Sequence, residues 1–102
     1  MDTFGISQSA ENIIFSIFSK YEQILEVILY GSRAKGNYNE RSDLDLVICK
    51  SKIDRKILGE VIQEINDSNF PYTIDLQVLE NISNEKLIEH IERVGEIFYR
   101  KA

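Results

Sequence analysis

Apolar and polar positions fall in blocks whose period changes along the chain. Ile14, Ile17, Phe18 and Tyr21 recur at three- and four-residue steps, which predicts a first helix over about residues 7–21. Residues 24–30 are almost continuously apolar and rich in β-formers, as in a strand buried on both faces, and the run stops at Gly31. A polar stretch over 32–42 leads to a second strand at about 43–49. Ile57, Val61 and Ile65, flanked by Leu58 and Ile62, predict a second helix over about 54–67 with Asp54 as its N-cap. It should stop before Ser68-Asn69-Phe70-Pro71, because proline disfavours a helical residue before it. Residues 72–79 alternate, with Thr73, Asp75 and Gln77 on one face and Ile74, Leu76 and Val78 on the other. A last helix over about 84–100 is expected from the stripe Leu87, Ile91, Val94 and Phe98, with Ser83 as cap and Glu85 favouring the dipole. The order α-β-β-α-β-α predicts an α/β (α+β) fold, a small mixed sheet packed against helices.

Composition narrows this picture. The 102 residues suit a single domain spanning 1–102, burying about 65% of the surface of its unfolded chain. With 43% apolar and 28% charged residues the chain is a folding one, not a disordered one. No apolar run approaches the ~20 residues that span a bilayer, and MDTFGISQSAEN lacks the basic start and apolar stretch of a signal peptide. A cytoplasmic protein without membrane contact is expected. Cys49 is the only cysteine and His90 the only histidine, so neither an internal disulfide nor a zinc site is available. Acidic residues outnumber basic ones by 17 to 12, giving a charge of −5. That balance disfavours bulk nucleic-acid binding but leaves room for a small nucleotide held through metal ions. A homodimer is compatible with so small a domain, and no interface for one is visible.

The chemistry concentrates between Tyr30 and Asp45. Gly31 and Ser32 follow a buried strand at the start of a potential short helix. Glycine lets a ligand approach the backbone, the next N–H groups can cradle phosphate oxygens, and the Ser32 hydroxyl adds a donor. Gly31 to Gly36 has the spacing that opens a P-loop, but Asn37 and Tyr38 replace its lysine and Ser/Thr. Asp43 and Asp45 are two apart in a strand, so both leave one face while Leu44, Leu46 and Ile48 leave the other. Two such carboxylates repel unless a cation separates them, and oxygen ligands favour Mg²⁺. Asp75 joins them if the second and third strands are neighbours. Three carboxylates can hold two metal ions ~3.5–4 Å apart, as in-line displacement at phosphorus requires, with Asp75 also placed to take the proton of the attacking hydroxyl.

Gly31-Ser32, ten residues, then Asp43-Leu44-Asp45 resembles the signature of the DNA-polymerase-beta-like nucleotidyltransferase superfamily. The stretch YGSRAKGNYNERSDLDLVI is similar to its minimal nucleotidyltransferase (MNT) group, and the likeness covers nearly the whole chain. The resemblance implies Asp43, Asp45 and Asp75 as metal ligands, Gly31 and Ser32 on the triphosphate, two Mg²⁺ ions and ATP as substrate. It also implies an antitoxin role beside a helical HEPN-domain RNase toxin, onto whose tyrosine some members transfer AMP. Three readings follow: AMP transfer to a HEPN partner's hydroxyl, a non-catalytic binding module that neutralises the partner, and transfer to a small molecule such as an aminoglycoside. The missing acceptor-binding domain weighs against the third.

Other residues divide between chemistry and packing. Arg33 is equally suited to a nucleotide phosphate and to a solvated loop, whereas Lys35 reads as surface. His90, beside Glu89, reads as surface, and Cys49 as a small core residue. Tyr30, Tyr38 and Tyr72 could flank a base, although aromatics at strand ends usually pack.

Overall fold

A computed structural model describes residues 4–39 and 41–101. The elements run α1 (Gln8–Ser19), β1 (Glu26–Tyr30), a short α2 (Ser32–Lys35), β2 (Leu44–Cys49), α3 (Arg55–Asp67), β3 (Ile74–Val78), a 3-10 turn (Leu79–Asn81), α4 (Glu85–Val94) and β4 (Glu96–Arg100). The sheet order is β3-β2-β1-β4. β1 pairs antiparallel with β2 and β4, and β2 pairs parallel with β3, so the sheet is mixed. No helix among the described residues is long and apolar enough to cross a membrane.

Each sheet face has its own core. Val27, Leu29, Leu44, Leu46, Ile48, Leu76 and Val78 meet α1 and α3 through residues such as Ile14, Phe18, Val61 and Ile65. The opposite face packs Ile28, Tyr30, Val47 and Cys49 against Leu87, Ile91 and Val94 of α4. The expected continuous apolar run of β1 is thus explained by a central strand with cover on both sides. Cys49 is buried, as expected of a core residue. Helix starts follow local chemistry: Ser7 accepts from the Ala10 N–H and Asp54 from the Ile57 N–H at 2.9 Å. Replacing Asp54 by Ala should cost about 1 kcal/mol, read as a fall of ~4–8 °C in Tm.

The expected last helix is wrong beyond Val94. The chain leaves α4 at Gly95, whose N–H donates to the Ile91 carbonyl at 2.8 Å, and returns as the edge strand β4. A Cβ at position 95 would meet the Ile28 side chain at 2.7 Å, so the reversal lies tight against β1. Phe98 fits the helical stripe by spacing, yet a bulge in the β1–β4 pairing turns Phe98 and Tyr99 together into the α1 face. There Phe15 meets both rings, with centroids 5.4 and 5.3 Å away. The β-branched and aromatic run Ile97-Phe98-Tyr99 favours a strand once glycine has ended the helix. The cap also shifts from Ser83 to Asn84, which accepts from the N–H groups of Lys86 and Leu87. Glu26 was not anticipated as a core residue: it is buried in β1, paired with Lys50 at 3.2 Å and Arg100 at 3.3 Å.

Candidate active site

The α4 face of the sheet is where the expected carboxylates gather. β2 and β3 are parallel neighbours in the register Asp45↔Asp75, so the two side chains stand side by side. Leu44 and Leu46 anchor the same strand in the opposite core, which fixes the direction of Asp45. Asp43 lies one residue before β2, and its charge reaches Asp45. Asp43 and Asp75 are exposed and Asp45 is half-buried, so the carboxylates form an open face.

Gly31 completes the arrangement. Tyr30 is the register partner of Asp45, and the chain turns at Gly31 with φ +78° and ψ −155°. Only glycine adopts that backbone readily. A Cβ here would collide with the Asp45 carboxylate, so the turn and the acid are in close apposition. Ser32 then opens α2, whose first N–H groups have no partner within the helix. Gly36 ends α2 at φ +85° in the left-handed region. The P-loop-like glycine spacing is therefore explained by the entry and exit of one short helical turn.

The electrostatics of the face follow from crowding. Burial pushes the Asp45 carboxyl above the usual carboxylate range; Asp75 and then Asp43 push the same way, while His90 opposes them. Burial also pushes the Tyr30 hydroxyl up to about 12, with further contributions from Asp75 and Asp45 and an opposing one from Gln77. Because the Asp45 pKa is raised by folding, its contribution favours the native state at low pH and is lost as pH rises through the folded-state value. At neutral pH the ionised Asp45 therefore costs stability. Asp45→Asn should raise the Tm of the metal-free protein by ~2–4 °C, on the order of 0.5 kcal/mol after solvent screening. A calorimetric scan with and without Mg²⁺ checks this, since a cation bound to the wild type should close the gap.

Two residues near the carboxylates, Gln77 and His90, were given no part in the site by the sequence reading. The Gln77 amide donates to the Tyr30 hydroxyl at 3.3 Å, and His90 meets the Tyr30 ring edge-on with centroids 6.2 Å apart. His90 is half-buried, not a surface residue as expected. It falls inside the helical stripe Leu87, Ile91, Val94, which was the available signal. Gln77 was visible as the same-face neighbour of Asp75.

Arg33 is neither a solvated loop cation nor open to a ligand: its side chain is buried, and its Nη2 has no hydrogen-bond partner among the described residues. It is only 2% exposed, and its Nε and Nη1 donate to the carbonyls of Ser42 and Phe4 at 3.0 and 2.8 Å. Tyr38 and Tyr72 lie against its guanidinium. Those two rings are packing residues, and Lys35 is exposed, as expected.

Among the described residues no three or more His, Cys, Asp or Glu side chains form a ready-made metal cage. The donor set still suits Mg²⁺, which usually takes one or two protein carboxylates and completes its shell with phosphate and water. Asp45 and Asp75 in register, with Asp43 alongside, supply oxygen ligands whose mutual repulsion a cation would relieve.

Comparison with known proteins gives a consistent result. Residues 12–102 match the sequence family described as Polymerase beta, Nucleotidyltransferase. A Methanocaldococcus jannaschii protein named as a protein adenylyltransferase is 28% identical over 95 residues, covering 92% of this chain and 79% of that protein. In fold, the chain resembles one in a crystal structure of a toxin–antitoxin with AMP-PNP (TM-score 0.70, 22% identity, 89% of this chain, 73% of the other). It also resembles one in the complex of tri-AMPylated Shewanella oneidensis HEPN toxin with MNT antitoxin (TM-score 0.61, 19% identity, 92% and 72%).

Proposed function

The chain belongs to the polymerase beta nucleotidyltransferase family, and from that premise we propose that it transfers AMP from ATP to a hydroxyl of a HEPN-domain partner protein. The observation that carries the reading is the Asp45↔Asp75 register beside the Gly31 turn. It brings the Gly31 turn against Asp45, beside Asp75 on one open face, which supports reading that turn as the phosphate cradle.

The residues divide the work as follows. The Gly31–Ser32 turn holds the triphosphate through backbone N–H groups and the Ser32 hydroxyl. Asp43, Asp45 and Asp75 would hold Mg²⁺, which when bound screens the phosphate charge and stabilises the leaving group. Asp75, the more exposed of the paired acids, accepts the acceptor's proton as its oxygen bonds to the α-phosphorus. The bond from the α-phosphorus to the β-phosphate oxygen breaks, and pyrophosphate leaves. The open face is consistent with a macromolecular acceptor. A protein adenylyltransferase relative and toxin–antitoxin neighbours in fold support a protein acceptor of HEPN type.

Incubation with α-labelled ATP, Mg²⁺ and a HEPN-domain protein encoded beside it tests this. Label on a tyrosine of the partner, with pyrophosphate released, is the expected result. A tight complex without label would replace it with the binding-module reading, and label on an aminoglycoside without any partner would replace it with small-molecule transfer.

A further inference from the structure

Arg33 stands inside the signature stretch, yet its side chain is buried. Nε and Nη1 donate to protein carbonyls, while Nη2 has no hydrogen-bond partner among the described residues. Burying a guanidinium in this way is costly. We propose that Arg33 is a positioning residue that ties the Gly31–Ser32 turn to the Asp43 arm and to the start of β3, holding phosphate cradle and carboxylates at a fixed separation.

Four observations carry this. Arg33 directly follows Ser32 in α2, so its backbone moves with the turn. Its Nε donates at 3.0 Å to the carbonyl of Ser42, the residue before Asp43. Its Nη1 donates at 2.8 Å to the Phe4 carbonyl, which brings the N-terminal segment into the same clamp. The guanidinium carbon is 5.0 Å from the Tyr38 ring centre and 5.1 Å from that of Tyr72, three residues before Asp75. Tyr72 in turn donates from its hydroxyl to the Gly5 carbonyl at 3.3 Å. Gly5 makes room for the clamp: at φ +76°, a Cβ would meet Nη1 at 2.7 Å as well as the Tyr38 ring.

An apolar side chain would fill this space at lower desolvation cost. What arginine adds is direction. Its planar fork fixes two carbonyls from separate segments while stacking against aromatic faces, which neither methionine nor lysine reproduces.

The catalytic half of the test rests on the proposed AMP transfer; the structural half does not. Arg33→Met, Arg33→Lys and Tyr38→Ala are compared with wild type by amide hydrogen exchange and by transfer kinetics. In folded Arg33→Met, exchange at Ser42, Asp43 and Leu44 should accelerate about tenfold or more while β4 is unchanged. The kcat should fall ~10–100-fold, more than the KM for ATP rises, because misplacement by about 1 Å costs that much. Lysine should not rescue either readout. Tyr38→Ala, at an exposed loop position, should move the same amides to a smaller extent and serves if Arg33→Met does not fold. Wild-type exchange at residues 42–44 in Tyr38→Ala, or in folded Arg33→Met, would reduce Arg33 to core filling and overturn the proposal. An inactive wild type would instead sink the proposed function, leaving the exchange result to decide the role of Arg33.

Discussion

Asp45→Asn is expected to lower nucleotidyl transfer by ~10³-fold or more, the equivalent of about 4 kcal/mol of transition-state stabilisation. The side chain keeps its shape, so β2 and its Asp75 register should survive, and only the charge that would bind a cation is lost. The same substitution should leave the metal-free protein slightly more stable, since Asp45 is ionised against the pull of burial, Asp75 and Asp43. A core residue behaves in the opposite way, losing stability and activity together. Gain in Tm with loss of turnover is the pattern expected of a site that carries electrostatic strain for function. Initial rates with α-labelled ATP, beside a calorimetric scan of each protein, separate these cases. Asp43→Asn should share the kinetic loss.

Gly31→Ala should be nearly as severe, for a different reason. The backbone at Gly31 has φ +78° and ψ −155°, a region costing non-glycine residues ~1–3 kcal/mol. The new methyl would also collide with the Asp45 carboxylate and lie 3.1 Å from its Cγ. Either the turn or the acid must shift, and a displacement of about 1 Å at a reacting site costs ~10²-fold in rate. Gly36→Ala is the control: its φ is +85°, but a Cβ there meets nothing within 4 Å. It should cost ~1–2 kcal/mol of stability with little change in rate at saturating ATP. Tm and kcat measured on both variants test the contrast, and equal kinetic losses would deny Gly31 its place beside the carboxylates.

Much of this site was legible in the sequence because strands carry a strict period of two. Asp43 and Asp45 share a parity opposite to Leu44, Leu46 and Ile48, and Asp75 shares one with Gln77. Once β2 and β3 are neighbours, the meeting of Asp45 with Asp75 follows. The chain after Val94 was harder, because Leu87, Ile91, Val94 and Phe98 match a helical period whether or not the helix continues. Gly95 and the bulge that turns Phe98 and Tyr99 the same way decided the outcome. Arg33 was ambiguous for a related reason: spacing places a loop cation near a site but does not give its side-chain direction. The partners that bury it, Phe4, Ser42, Tyr38 and Tyr72, come from three separate segments.

The most direct test of the account is a crystal structure with Mn²⁺ and an ATP analogue whose α–β bridge cannot be cleaved. Anomalous density for manganese is expected against Asp45 and Asp75, with the triphosphate on the N–H groups after Gly31. Nucleotide bound elsewhere, or metal away from those carboxylates, would contradict it.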